Sequence, residues 1–184
     1  MPRIPTVDRH QASPELSATL DAVKAKLGKV PNLFATFAQS PAVLNAYLGF
    51  SEALAKGKLS ARQREVIALA AAQANACQYC LSAHTLMSKG AGLSEADIQA
   101  ARAGQAADAQ TAAIARLTAQ IVSQRGVLSD QELAAARAAG VDDGLLVEVI
   151  AAVALNTLTN YANLIAGTEI DFPVVDLSAA LAVD

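Results

Sequence analysis

The sequence predicts an all-α protein, and three observations carry that reading. The composition is 53% hydrophobic but only 4% aromatic, without Trp, so the apolar content is mainly Ala, Leu, Val and Ile. Alanine is the best helix former, and this much of it in periodic runs argues for packed helices. Residues suited to helix starts precede apolar stretches of helical period, glycines follow them, and no period-2 alternation stands between turn signals.

Residues 1–13 are polar, hold two prolines and His10, and read as an arm. Ser13 followed by Pro14 resembles a cap and its first helical position, so 15–26 is expected to be helical, ending at Gly28. The segment 30–34 (V-P-N-L-F) turns into a second apolar helical stretch with Phe34 and Phe37 one turn apart. Ser40-Pro41 starts another, with Val43, Leu44, Tyr47, Leu48 and Phe50 mostly at helical spacing, broken by Gly57. Ser60 with Gln63 forms a capping box that opens a central helix running toward Asn75.

Residues 77–89 are again helical and are stopped by Gly90 and Gly92. Ser94 caps a short helix over 95–103, and 108–124 forms a longer amphipathic one closed by Gly126. Ser129 with Glu132 is a second capping box, whose helix ends at Gly140. Asp142 and Asp143 then open a strongly apolar helical stretch over about 145–166, and the tail around Asp171-Phe172-Pro173 is irregular.

The chain also echoes itself. A shift of 83 residues lays E-V-I-A at Glu65 over E-V-I-A at Glu148, with Asn160 and Asn163 opposite Cys77 and Cys80. A shorter echo sets L-S-E-A-D-I-Q-A-A-R, from Leu93, against L-S-D-Q-E-L-A-A-A-R, from Leu128. Such matches fit an internal duplication of a helical hairpin unit, or coincidence in an alanine-rich chain. On the first reading only the first copy keeps reactive side chains.

With 184 residues the chain is expected to form one domain, 1–184, with its core at about 28–173, large enough to need no disulfide staples. A net charge of -3 without a basic stripe gives no electrostatic reason to expect nucleic acid. No run of about 18 uncharged apolar residues suggests a membrane span, and the N-terminus lacks the apolar centre of a signal peptide. The expectation is therefore a cytoplasmic protein with neither nucleic acid nor membrane as partner. In a reducing compartment, two cysteines spaced C-x-x-C suggest redox or metal chemistry.

Both cysteines fall in the stretch 65–84, E-V-I-A-L-A-A-A-Q-A-N-A-C-Q-Y-C-L-S-A-H. Cys80 and His84 are four residues apart and share one helix face, and Cys77, three residues before Cys80, lies on the same side. A helix starting near 75–77 would favour a thiolate there through its free N–H groups and dipole. Glu65 lies about 18 Å from Cys77 if the helix is continuous. If the chain instead folds back near Ala74 and Asn75, Glu65 faces His84 and a relay of carboxylate, imidazole and thiol forms. A helix unbroken through Asn75 would rule that relay out.

The spacing E-x11-C-x-x-C-x3-H at Glu65, Cys77, Cys80 and His84 resembles the alkylhydroperoxidase D core of the carboxymuconolactone decarboxylase family. G-K-V-P-N-L-F from Gly28 and N-Y-A-N-L-I-A-G-T-E-I-D-F-P from Asn160 resemble that family's peroxidase-related branch, so the likeness spans roughly 28–173. It implies an all-helical antioxidant-defence enzyme, a homo-oligomer (trimer or hexamer) that needs no cofactor. It also implies that Cys80 attacks a peroxide, that Cys77 resolves the sulfenic acid to a disulfide, and that His84 and Glu65 relay the proton. A thiol or dithiol donor, such as a lipoyl-bearing protein, would then reduce the pair. The best-known member carries a second histidine just before the attacking cysteine, where this chain has Tyr79. The namesake decarboxylases lack the cysteine pair, so lactone decarboxylation is not implied.

Other readings of the same residues stay open at this stage. Cys77, Cys80 and His84 also fit small residues filling a helix interface, or, with Glu65, a zinc site. The cysteine pair also suits a redox sensor, a vestige in a non-catalytic assembly module, or a disulfide reductase. His10 is expected in solvent and Tyr79 in packing at the site's edge. Phe34, Phe37, Tyr47 and Phe50 are expected in core or subunit contacts, with a pocket for an organic peroxide as the alternative. Asn160 and Asn163 read as satisfied polar groups on a buried helix, with Asn160 also able to face the site.

Overall fold

Helix starts and stops follow the local chemistry. Ser13 accepts the N–H of Leu16 and Pro14 takes the first helical position, giving α1 (Pro14–Leu27), which ends where Gly28 adopts left-handed backbone at φ 79°. The computed structural model describes residues 1–178, among which α2 (Asn32–Phe37) and α3 (Pro41–Ala55) follow. The Ser60–Gln63 capping box opens α4 (Ala61–Ala74), and α5 (Gln78–Gly90) starts after Cys77. Capping boxes Ser94–Asp97 and Ser129–Glu132 open α6 (Glu95–Arg102) and α8 (Asp130–Ala138), on either side of α7 (Ala109–Ser123). Asp142 caps α9 (Asp143–Ala166), two residues longer at its start than the sequence suggested. No strand occurs among the described residues, so the fold is all-α. The last six residues of the expected domain, 179–184, lie outside the described residues.

Helix α4 is the centre. It packs against α5, α6, α7 and α9, and every residue from Val66 to Ala72 is buried. Alanine at four of those seven positions lets neighbouring helices approach closely on all sides. One apolar cluster gathers Leu20, Leu33, Leu44, Leu69 and Leu81 around the two cysteines. A second joins Ile67 to Ile114, Leu117, Val141 and Val149 on the other side of α4.

The echoed segments differ in conformation. The first copy breaks between α4 and α5, whereas the second, within α9, stays one helix through Leu158 and Thr159. The second copy is therefore no hairpin. Glu148, opposite Glu65 in the echo, accepts the N–H groups of Lys58 and Leu59 and fixes the loop that enters α4. The shorter echo does share a form, since α6 and α8 both begin at a capping box.

The N-terminal arm and the segment that follows α9 are pinned to the helices. The arm donates from Arg3 N–H to Ala166 O and from Val7 N–H to Ala35 O, and His10 is exposed. After α9 a strap crosses α5: Val175 N–H donates to Ser82 Oγ, and Gln78 Nε2 donates to Val175 O. Buried Arg102 donates to the carbonyls of Asp176 and Leu177. By length and composition α9 could cross a bilayer, with mean hydropathy 1.5. One face of it nevertheless packs on α4 and α7 and buries Thr159, Asn160 and Asn163. The other face leaves Val147, Ile150, Leu158, Tyr161 and Ile165 exposed.

Candidate active site

The site begins with a broken helix. Asn75 caps α4, and Ala76 takes left-handed backbone at φ 52°, a strained conformation for a residue with a Cβ. That turn makes Cys77 the N-cap of α5, where its Sγ accepts the N–H of Cys80 at 3.4 Å. A sulfur thus takes the place that Ser or Asp fills at the starts of α1, α4, α6, α7, α8 and α9.

Folding back brings α5 along α4, and His84 Nδ1 lies 2.9 Å from Glu65 Oε2. Their side chains are only 20% and 15% exposed. Cys80 sits one turn before His84 on the same face. Cys77 and Cys80 are free thiols, 1% and 3% exposed. Glu65, Cys80 and His84 thus come together, with Cys77 at the helix start. Among the described residues, no three His, Cys, Asp or Glu side chains group so as to hold a metal ion.

On the inner face of α9 sequence reasoning allowed Asn160 to face the site but missed the contact of Asn163 with Cys80. Asn163 Nδ2 donates to Cys80 Sγ at 3.2 Å, and Asn75 Nδ2 donates to Asn160 Oδ1 at 2.9 Å. Neither asparagine is fully satisfied, because Asn160 Nδ2 and Asn163 Oδ1 are buried without partners. The signal was present in the echo, which set Asn163 opposite the very cysteine it touches.

These contacts polarise the thiols in opposite directions. Cys80 is pulled below the ordinary thiol value, chiefly by a hydrogen bond from Cys77 and then, against burial, by the charge of His84 and the amides of Asn163 and Asn160. Cys77 is pushed up, first because it donates its proton to Cys80 and then by burial. Burial is the largest influence on His84 and alone would lower its pKa. The charge and hydrogen bond of Glu65, together with Cys80, outweigh it, and the net shift is upward. An anionic sulfur beside an imidazolium is the arrangement that makes a cysteine nucleophilic.

Two cavities, of about 410 and 340 Å³, meet at His84. Leu27, Phe34, Tyr47 and Met87 line both. Tyr47 was expected in packing, and its ring does pack on Phe34 and Phe37, with centroids 5.5 Å away in each case. It also forms cavity wall, and burial together with the charges of Cys80 and Glu65 pushes its phenol up to about 12. Neither thiol lines either cavity.

Residues 41–124 match the family model of the carboxymuconolactone decarboxylase family. The matched segment contains Glu65, Cys77, Cys80 and His84, so the resemblance seen in the sequence holds. No curated protein matches the sequence significantly. Among solved structures, an uncharacterized peroxidase-related protein from Ralstonia eutropha JMP134, an alkylhydroperoxidase AhpD core, superposes with TM-score 0.83 at 22% identity, covering 92% of each chain. A peroxidase-related protein from Silicibacter sp. TM1040 gives 0.76 at 23% identity, covering 91% of this chain and 93% of that one. A variant of the debrominase Bmp8, in complex with 2,3,4-tribromopyrrole, gives 0.78 at 18% identity, covering 97% and 95%. These likenesses establish an alkylhydroperoxidase D-like fold.

Tyr79, where the best-known family member has histidine, works as a clasp. Its hydroxyl donates to Asp171 Oδ1 at 2.8 Å and accepts the N–H of Leu33 at 3.1 Å. Asp171 also pairs with Lys29 at 2.9 Å, so Tyr79 ties the strap to the start of α2. Burial is the main reason its phenol is pushed up and stays protonated.

Two outcomes are expected. Tyr79→Phe should lower stability by about 1–2 kcal/mol in urea unfolding while leaving the Cys80 thiolate titration in place. Loss of that titration would make Tyr79 part of the proton path. Glu65→Gln should drop the His84 pKa below its wild-type value in an NMR titration, because burial is then opposed by less charge. In the wild type the stability from charged His84 is full below the unfolded value of about 6.5 and is lost as pH rises through the higher folded value. An unchanged His84 titration in the variant would contradict the pairing.

Proposed function

We propose that the protein is a thiol-dependent peroxidase that reduces organic hydroperoxides. The observation that carries this reading is the His84–Glu65 hydrogen bond closed across the hairpin, one turn from Cys80. In the proposed cycle His84, held by Glu65, takes the Cys80 proton. The thiolate attacks the outer oxygen of the hydroperoxide, an S–O bond forms and the O–O bond breaks. The alkoxide leaves and receives the proton from His84, giving an alcohol and the Cys80 sulfenic acid. Cys77 then attacks Cys80 sulfur, the S–O bond breaks, and hydroxide departs with the Cys77 proton as water. A dithiol donor, such as a lipoyl-bearing protein, reduces the disulfide and is itself oxidised. No prosthetic group is needed, and the reducing cytoplasm suits the cycle.

The apolar lining shared by the two cavities, Leu27, Phe34 and Met87, favours an organic hydroperoxide over a small polar one. The reading includes a homo-oligomer, trimer or hexamer, built on one domain. Its support is the exposed stripe of Val147, Ile150, Leu158, Tyr161 and Ile165 along α9.

Reduced protein supplied with a dithiol should consume tert-butyl hydroperoxide through many turnovers, and Cys80→Ser and Cys77→Ser should each abolish them. A single oxidation without turnover would point to a redox sensor. Thiols still titratable after excess peroxide would overturn the reading. Ile150→Glu with Ile165→Glu, both on the exposed face, should reduce the mass measured by light scattering to that of one chain. An unchanged mass would remove α9 from the assembly surface.

A further inference from the structure

Asn156, Asn160 and Asn163 follow one another at helical spacing along the inner face of α9. Asn156 lines the smaller cavity beside Glu65 and His84, and Asn163 reaches Cys80. Between these ends lies an unusual pair of vacancies: Asn160 Nδ2, a donor, and Asn163 Oδ1, an acceptor, both buried and both without partners. The two residues are 0% and 4% exposed. An unmade hydrogen bond in such a place is costly, so a native chain rarely keeps two of them side by side.

Each remaining amide atom is already committed. Asn160 Oδ1 accepts from Asn75, which fixes the orientation of that amide and leaves its N–H groups toward the site. Asn163 Nδ2 donates to Cys80 Sγ, which leaves its oxygen free next to the same sulfur. Asn160 directs its amide at Cys80 and favours its thiolate through that contact, although the contact falls short of full hydrogen-bond geometry. The surroundings of Cys80 thus offer one donor and one acceptor to a group bonded to sulfur.

We propose that Asn160 and Asn163 form a cradle for the hydroxyl transferred to Cys80, with Asn160 Nδ2 donating to its oxygen and Asn163 Oδ1 accepting its hydrogen. The group is the outer O–H of a hydroperoxide, which becomes the S–O–H of the sulfenic acid as the S–O bond forms and the O–O bond breaks. The alkoxide leaves with the proton from His84, so the cradle neither gives nor takes a proton. Its effect is to hold the transferred oxygen in line with the sulfur and to satisfy it once it arrives. Asn163 has a second role before reaction, donating to the thiolate. This inference rests on the peroxidase reading and names two further residues for its first step.

The test uses the full chain carrying Cys77→Ser, so that the reaction stops at the Cys80 sulfenic acid. The rate of Cys80 oxidation by tert-butyl hydroperoxide is divided by the thiolate fraction, read from ultraviolet absorbance. Asn160→Leu should cut this normalised rate about tenfold or more, and Asn163→Leu should do the same while also raising the thiol pKa. A merely structural role would move the thiolate fraction or the melting temperature and leave the normalised rate where it was. Asn75 is only half-buried, so it can turn to water when its acceptor is lost. Should Asn160→Leu fail to fold, Asn160→Ala makes the same cut without the added bulk. Normalised rates equal to the parent in both variants overturn the cradle. A parent that titrates a thiolate but never reacts with the peroxide overturns the peroxidase reading instead, and the cradle with it.

Discussion

The site depends on one break in the chain. Ala76 holds a backbone conformation that disfavours residues with a Cβ, and through it α5 turns back on α4 instead of continuing it. Without the turn, Glu65 and His84 would lie on opposite ends of a rod. With it, a carboxylate meets an imidazole at hydrogen-bond distance, and Cys77 becomes a helix cap. The strain at Ala76 is offset by close packing, since α4 is buried on every side by helices that its alanines admit.

Polarisation of the thiols follows from that placement. Cys77 and Cys80 are equally buried and three residues apart, yet they are driven in opposite directions. The difference lies in what faces each sulfur. Cys80 meets an imidazole held by Glu65 and the amide of Asn163, all stabilising an anion, whereas Cys77 keeps its proton and shares it with that anion in a hydrogen bond. The strap and Tyr79 stand outside this exchange, and they fasten the tail over α5 so that the pair stays sheltered from water.

Much of this was legible in the sequence. Capping residues and glycines marked the helices because those signals are local, and Ser13, Ser60, Ser94 and Ser129 all cap as expected. The hairpin was legible too, through the weakening of the apolar pattern near Asn75. What could not be read were contacts made across long separations. Asn163 reaches Cys80 from α9, and Tyr79 binds Asp171 from the far side of the chain. Periodicity places a polar residue on a buried face but does not say which neighbour it meets there. The echo misled in one respect, because the second copy lacks the turn and remains a single helix. Spacing alone could not choose for Tyr47 between core packing and a pocket wall, and it serves as both.

The account stands on Cys80 as the sulfur that takes oxygen from a peroxide. The most direct measurement is mass spectrometry of Cys77→Ser protein treated with one equivalent of tert-butyl hydroperoxide. The account predicts one added oxygen, trapped by dimedone, on the peptide that carries Cys80. A Cys80 that remains a free thiol while the peroxide persists would contradict it.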